Sequence, residues 1–476
     1  MINKHGIYFW VIPSGLDLQG LLEKHPPAFK KKKFKIDVFY YIIDLITART
    51  YKSTSDLFGG YVNINSAYFR NFHHDYKEYL EYLKIHGIID TDYYIPEEKS
   101  YGYCINLGKI DFECPFQEIP IKDNVIRAKI ESDQFYKVLF SPGATNYSYL
   151  SKWFNPLLKI DAKRARNILE KIYADVEANK EKYKPKELTK ARNKLLKNLS
   201  VIEELEAQHF YCDVDNNIGR FHSNLTNLKK ELRSCITYDG QKLVNIDVRN
   251  SQPFLSTCLL EAKFWTDEHH GLNIYKIPTA MNIIAGYKIP KQDITIHGIQ
   301  AYEHIDELKH SIKQYTMCVT FMLKSLNKDH IEYISFAKSS IFYKKVYKKI
   351  YPGESFDKRK VKSSFFQYIY SSNRQNYWEE KKLISKAFPS VTGLFKFLKQ
   401  EDYVLLSHIM QRLESTLIIE VVARRIAAEK PNLPFYTVHD SIATIPSEVD
   451  YVRHVIKEEF NNYLEIVPKL GVERWD

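Results

Sequence analysis

The sequence predicts an α+β fold spread over about three domains, and three features carry that expectation. TVHDSIATIP, 437–446, sets a polar HDS break between FYTV and IATI, runs of β-branched, aromatic and small residues with the composition of two strands joined by a tight turn. KLVNIDVRNSQPFLSTCLL holds an apolar strand, LVNI, that ends in Asp247 and runs on into a helix. Long, charged helical patterns fill 150–210, and at 476 residues the chain exceeds what one compact core fills.

In chain order, residues 1–35 form an N-terminal segment. Its opening, MINKHGIYFWVIPSG, lacks a signal-peptide layout, and it closes on the basic run PPAFKKKKFK. An apolar helix, DVFYYIIDLITAR, follows. In INSAYFRNFHHDYKEYLEYLKIHGIIDTD, the residues Tyr76, Tyr79, Leu80, Tyr82 and Leu83 recur at helical spacing up to a capping Gly87. DYYIPEEKSYGYCINL then alternates as two strands about an EEKS turn. Helix, helix, helix and hairpin is the order of a winged helix, and YLKIHGIIDTDYYIPEEKSYGYCINL resembles the last helix and wing of that family. The resemblance implies a DNA-binding module over 36–115, in which the helix around 64–73 or the next one, together with the wing, touches duplex phosphates.

The stretch 116–210 reads as a linker and a long helical region. Between 159 and 197 it carries 13 Lys or Arg against 6 Asp or Glu, within a chain of net charge +11. A charged helical pair is most often a solvated face. Lying directly ahead of the segment with the chemistry, this one is better read as a clamp on a polyanion, most simply nucleic acid. The 35 tyrosines offer rings for stacking bases as well as for core. The six cysteines, Cys104, Cys114, Cys212, Cys235, Cys258 and Cys318, form no CxxC or Cys/His pair with zinc spacing, so a reduced protein without structural zinc is expected. No stretch approaches 18 apolar residues; the expectation is a soluble, cytoplasmic protein with no membrane partner.

The remaining segment, 211–476, mixes strands and helices and holds the candidate chemistry. Two strand-end aspartates, Asp247 and Asp440, are what two-metal phosphoryl transfer needs: two Mg²⁺ about 3.5–4 Å apart require carboxylates on a stiff frame. Either aspartate alone would be an ordinary turn or cap residue. KRKVKSSFFQYIYSSN, 358–373, read as a helix, stacks Lys358, Lys362, Phe366 and Tyr370 four apart on one face. Two cations followed by two rings can grip a triphosphate at one end and pack on sugar and base at the other; the plainer reading is a basic amphipathic helix.

Taken together the pieces are more specific. IGRFHSNLTNLKKEL (218–232), Asp247 in NIDVRNSQ, KxxxKxxxFxxxY at 358–370, QRLESTLII (411–419) and VHDSIATIP occur in that order. This order resembles the palm and fingers of family A DNA polymerases and of their relatives, the single-subunit phage-type RNA polymerases, over roughly 220–446. The resemblance implies a right-hand polymerase: a palm with an antiparallel sheet and helical fingers over 211–476, preceded by the helical, thumb-like region. It implies that Asp247 and Asp440 hold two Mg²⁺ ions, for which Mn²⁺ could substitute, with the carbonyl of Val248 as a further ligand. Lys362 is then the fingers lysine that neutralises the incoming triphosphate and can protonate the pyrophosphate leaving group. Lys358 stands where the family usually has arginine, beside Arg359. Phe366 and Tyr370 resemble the rings that pack on the sugar and the templating pair, while Arg220, Gln411 and His439 resemble groups that touch the primer or its minor groove. The partners implied are a nucleic acid, as primer–template or duplex DNA, and nucleoside triphosphates.

Several departures bear on function. Ser371 replaces the glycine usual after the fingers tyrosine, and QRLES stands where a QGT-like run is common. Lys362 lies 115 positions after Asp247, which leaves a helical insertion over about 262–345, and the segment from Lys362 to Asp440 is short. Sugar choice rests on a side chain a few residues after the first aspartate. An ungapped reading puts Gln252 there, with room for a ribonucleotide; a two-residue gap puts Phe254 there, which would exclude it. TIP after the hairpin resembles the RNA polymerases, whereas GR followed by SNLTNL, the SQ and Phe366 resemble the DNA polymerases. The first expectation is therefore a DNA polymerase without a proofreading exonuclease, suited to a plasmid, phage or defence locus. The alternatives are a primer-independent RNA polymerase or primase, and an inactive DNA-binding replication or regulatory protein.

Overall fold

A computed structural model describes residues 8–29, 34–52, 61–94, 100–107, 110–132, 147–215, 218–266, 271–277, 280, 283–284, 305–375, 379–400 and 402–476, as a mixed helix and sheet protein with two hydrophobic cores. The basic run at 30–33, the turn at 95–99 and the 285–304 part of the insertion lie outside these residues.

The first core is built around a helix apolar on nearly every side. In β1 (Phe9–Pro13), α1 (Leu18–Lys24) and α2 (Ile36–Lys52), it is α2 that buries Val38, Phe39, Ile42, Ile43, Leu45 and Ile46, so neighbours must wrap it. Around it run β2 (Val62–Asn63), α3 (Ser66–Phe72), α4 (Tyr76–Ile85), β3 (Ile89–Thr91) and β4 (Gly102–Ile105), the strands forming a sheet in the order β2-β4-β3. Gly87, at φ +69°, closes α4 in the left-handed conformation that a side chain would disfavour.

This core does not break at residue 35 or at 115. β1 pairs along its whole length with β5 (Phe116–Pro120), and α5 (Asn124–Ser132) adds Ile126 and Ile130. The reason lies in two buried carboxylates of α2: Asp37 accepts the indole N–H of Trp10 at 2.8 Å, and Asp44 accepts the backbone N–H of Val11 at 2.7 Å. Among the described residues, those of 8–29 and 116–130 thus share a hydrophobic core with those of 36–107.

The second core contains α6 (Ala162–Ala178) and α7 (Pro185–Glu206), a hairpin clasped by Arg166 on Glu203 at 2.7 Å and by Arg192 on Glu177. Helix α7 bridges the cores: Leu196 belongs to the first, while Leu195, Leu199 and Ile202 belong to the second. After β6 (Leu158–Ile160), β7 (Cys212–Val214), β8 (Phe221–Ser223), β9 (Ile236–Tyr238) and β10 (Gln241–Lys242) comes the main sheet. It joins β11 (Val244–Val248), β12 (Phe435–Val438), β13 (Ser441–Thr444) and β14 (Leu470–Arg474), antiparallel throughout, in the order β12-β13-β11-β14.

Helices cover this sheet. α8 (Ser251–Ser256) leaves β11 directly; α9 (Ile305–Lys324), α10 (Lys328–Ala337), α11 (Phe342–Ile350), α12 (Lys358–Tyr370), α13 (Glu379–Ala387) and α14 (Pro389–Leu398) follow. α15 (Leu405–Ser415) continues through a π-helical stretch, Thr416–Ala423, and α16 (Val449–Leu464) returns the chain to β14. The described part of the insertion is anchored: Tyr333 is buried with its hydroxyl 2.6 Å from Ser256 Oγ, and Asp329 accepts the N–H of Ser390 at the start of α14. No helix among the described residues is long and apolar enough to cross a membrane.

Candidate active site

The two aspartates meet at one end of the main sheet. Asp247 lies opposite Ser441 in the β11–β13 register, and Asp440 is the residue before it; the N–H of Val248 donates to the Asp440 carbonyl at 3.3 Å. The β12–β13 turn is only two residues, His439 and Asp440, because Val438 pairs with Ser441. Such turns require positive φ, and His439 supplies it at +57°, a conformation that costs a non-glycine residue about 1–3 kcal/mol and persists only where the surroundings impose it. On the other flank Gly471 faces Asp247, and a Cβ there would collide with the Asp247 carboxylate and with Arg249. Sheet pairing and a missing side chain together leave the carboxylate its place.

A third carboxylate completes the cluster. Glu414 on α15 is buried and accepts three hydrogen bonds: from Arg220 Nη2 at 2.6 Å, Gln252 Nε2 at 2.6 Å and Ser251 Oγ at 3.0 Å. The hydroxyl of Tyr370, at the end of α12, donates to Gln252 Oε1 at 3.1 Å, and Gln411 reaches the same hydroxyl. Gly219 makes the Arg220 placement possible: it adopts φ +68°, and a Cβ would run into the Arg412 guanidinium.

Electrostatics follow from this crowding. Desolvation raises the Asp440 carboxyl above its ordinary range, and the charges of Glu414 and Asp247 raise it further. The His439 ring is solvent-accessible, yet the surrounding protein desolvates it and, with Arg220, pulls its pKa down to about 4, so it is neutral at pH 7. The Nε donors of Arg220, Arg233 and Arg412 are buried without a hydrogen-bond partner among the described residues.

Helix α12 has the expected stripe. Asp357 caps it by accepting the N–H groups of Arg359 and Lys360, which starts the helix at Lys358. Lys358, Arg359 and Lys362 are exposed; Lys362 Nζ sits 5.5 Å from the Phe366 ring centre, and Phe366 stacks on Tyr370 at 5.6 Å and 4°. Tyr370 is the hinge between stripe and carboxylate end, through Gln252.

The two readings of the sugar position separate here. Gln252 stands beside Tyr370 and Glu414, whereas Phe254 is buried, 6.1 Å from the Phe460 ring. Val248 is buried at the end of β11, next to Asp440. Arg220 is held by Glu414 rather than extended into solvent.

Four neighbours are missing from the sequence reading: Glu414, Ser251, and Tyr343 and Arg233, each of which feels the Asp440 charge. Glu414 had a weak signal, the one carboxylate in QRLESTLII. Tyr343 and Arg233 had none, since only the packing of α11 and of the segment before β9 brings them in.

No protein-family model matches the chain. No curated protein matches it. Among solved structures, the POL domain of Pol1 from M. smegmatis, in complex with DNA primer-template and dNTP, is similar at TM-score 0.38 and 10% identity, over 74% of this chain and 73% of that one.

Proposed function

We propose that the chain is a template-directed nucleic-acid polymerase that joins nucleotides to a 3′-hydroxyl with release of pyrophosphate. One observation carries this reading. Asp247 and Asp440, far apart in sequence, are paired at one sheet end beside Glu414, and the cation-and-ring stripe of α12 is tied to the same point through Tyr370 and Gln252.

The residues fit Mg²⁺. Asp247 and Asp440 offer oxygen donors, and the crowding that raises the Asp440 carboxyl is what a divalent cation relieves. Mg²⁺ takes one or two carboxylates and completes its shell with water and substrate phosphates, so Asp247 and Asp440 would be enough protein ligands for it. When bound, the metal lowers the pKa of the attacking hydroxyl and offsets charge on the phosphates.

The remaining roles belong to side chains. Lys362, with Lys358 and Arg359, neutralises the triphosphate and stabilises the leaving pyrophosphate. Phe366 and Tyr370 pack on the sugar and the new base pair. Glu414 fixes Gln252 and Arg220, so that Gln252 faces the sugar while Arg220, Gln411 and a neutral His439 line the path of the primer end. The module built on α2, α3, α4 and the β3–β4 hairpin, winged-helix-like in element order and in its β2-β4-β3 sheet, serves as the duplex contact.

A second reading, synthesis of RNA, is favoured by one feature: an amide, not the Phe254 ring, lies beside Tyr370, and it leaves more room for a 2′-hydroxyl. The test is extension of a primer on a DNA template with Mg²⁺, in lanes with dNTPs, NTPs or neither, for wild type and Asp440→Ala. Extension lost in the variant is the expected result, and the productive lane identifies the sugar. Extension retained by Asp440→Ala overturns the proposal.

A further inference from the structure

A second charged cluster lies at the C-terminal end of α12. Lys381 on α13 is 2% exposed and donates to Ser371 Oγ at 3.0 Å and to the Ser372 carbonyl at 2.9 Å; Lys399, 3% exposed, donates to the carbonyls of Tyr368 at 2.6 Å and Ser371 at 3.2 Å. Two lysines thus close the C-terminal end of the helix, next to Tyr370, which ties it to Gln252. No described carboxylate forms an ion pair with either, nor with Lys382, Lys386 or Lys396. Burial first, and then the charge of neighbouring lysines, lowers the pKa of both, that of Lys399 to about 7 in all.

Beside them an open cleft of about 300 Å³ is lined by Lys381, Lys382, Ser385, Lys386 and Lys396. Four lysines thus line one cavity with no ion pair to a carboxylate among the described residues, together with Ser385, whose hydroxyl is bonded to Tyr368. Three of these lysines are exposed, whereas the fourth, Lys381, is among the most buried side chains of the molecule and is fixed at the cleft's inner edge by Ser371 and Ser372. Ammonium groups bind phosphate as mobile point charges, and several around one cavity suit the dispersed charge of a phosphate chain.

We propose that the cleft between α13 and α14 is a binding site for phosphate groups, separate from the carboxylate end, and that Lys381 makes it contiguous with the end of α12. Its ligand is either a free phosphate chain or the phosphodiester backbone of a single strand. The site does not depend on the polymerase reading, because it uses none of those residues.

The test uses the full chain in EDTA. Calorimetric titration with sodium tripolyphosphate, and binding of a dT oligonucleotide against salt, compare wild type, K382A/K386A/K396A and the charge-matched control K328A/K338A/K348A. The cleft variant is expected to lose at least tenfold in affinity for one or both probes, while the control stays within twofold of wild type. Its oligonucleotide salt slope should fall by about 2 if three strand phosphates are released from contact. Loss for tripolyphosphate alone identifies a free phosphate ligand, and loss for the oligonucleotide, with or without tripolyphosphate, identifies a strand. Equal behaviour of the two variants, whether both unchanged or both weakened, overturns the proposal.

Discussion

Two regions of this molecule bury like charges, one negative and one positive, and they stabilise them differently. At the carboxylate end Asp247, Asp440 and Glu414 crowd together, and Glu414 has a cation, Arg220 at 2.6 Å, while Asp440 sits beside two like charges. At the lysine end Lys381 and Lys399 have no carboxylate partner among the described residues and are held by backbone carbonyls and a serine hydroxyl. A buried charge needs a partner or must neutralise. Lys399, with its pKa near 7, can neutralise by giving up a proton. Asp440 can do so only by taking one up, or by holding a cation. On the two proposals, the difference separates a site that a metal would relieve from one that an anion would relieve.

The largest test of this contrast is Asp440→Asn. On the proposed function it removes a metal ligand worth several kcal/mol of transition-state stabilisation, so primer extension should fall about 10³-fold or more. In EDTA the same change removes like-charge repulsion, so Tm should equal or exceed that of wild type. A fall of many degrees would mean that Asp440 supports the sheet instead of straining it. Next comes Glu414→Leu, which strands Arg220, Ser251 and Gln252 together. Leaving a buried pair half-broken costs about 3–5 kcal/mol, reduced toward the lower figure because Arg220 is partly exposed. Urea denaturation should show the loss, and adding Arg220→Leu should recover part of it. If the two losses simply add, the ion pair is not the organising contact.

Stability against pH is expected to slope in opposite directions for the two regions. Asp440 has a folded pKa above its unfolded one, so as pH rises from the ordinary carboxylate range the unfolded chain releases its proton first and stability falls. Lys399 has a folded pKa of about 7 against about 10.4 unfolded, so between those values the unfolded chain holds the extra proton and stability rises with pH. Asp440→Asn should flatten the acidic slope and Lys399→Met the alkaline one. The Asp440 slope should also shrink in Mg²⁺ whereas the Lys399 slope should not. Slopes that survive both substitutions would assign the titrations to other groups.

Much of the carboxylate end was legible in the sequence, because it depends on local rules: a two-residue polar break between strands, an apolar run ending in aspartate, four residues at helical spacing. Glu414 was visible as the one carboxylate of QRLESTLII, but its role was not, since its partners, Arg220 and the Ser251–Gln252 pair, come from two other segments. Lys381 and Lys399 were illegible for the same reason. In EEKKLISKA and FKFLKQ they look like any solvated lysine, and only the packing of α13 and α14 against the end of α12 buries them. The domain limits at 35 and 115 were also drawn from local composition, whereas β1 finds its partner more than a hundred residues away in β5.

The smallest expected effect falls on the helix that joins the two regions. Lys358 and Lys362 are both exposed on α12, so neither contributes much to stability, and substitutions there should leave Tm within about 1 °C of wild type. Their proposed roles differ by position. Lys362 lies one turn from the Phe366–Tyr370 stack, with its ammonium 5.5 Å from the Phe366 ring centre, while Lys358 lies a turn further out, where Asp357 fixes the helix start through Arg359 and Lys360. Lys362→Ala should therefore lower kcat by one to two orders of magnitude, about 1.4–2.7 kcal/mol. Lys358→Arg should instead lower the nucleotide KM a few-fold with kcat unchanged, since a guanidinium can hold a phosphate with two parallel donors where an ammonium acts as one point charge. A kcat change in Lys358→Arg would place that residue at the reacting phosphate. An unchanged KM would mean that the triphosphate ends short of the first turn of α12.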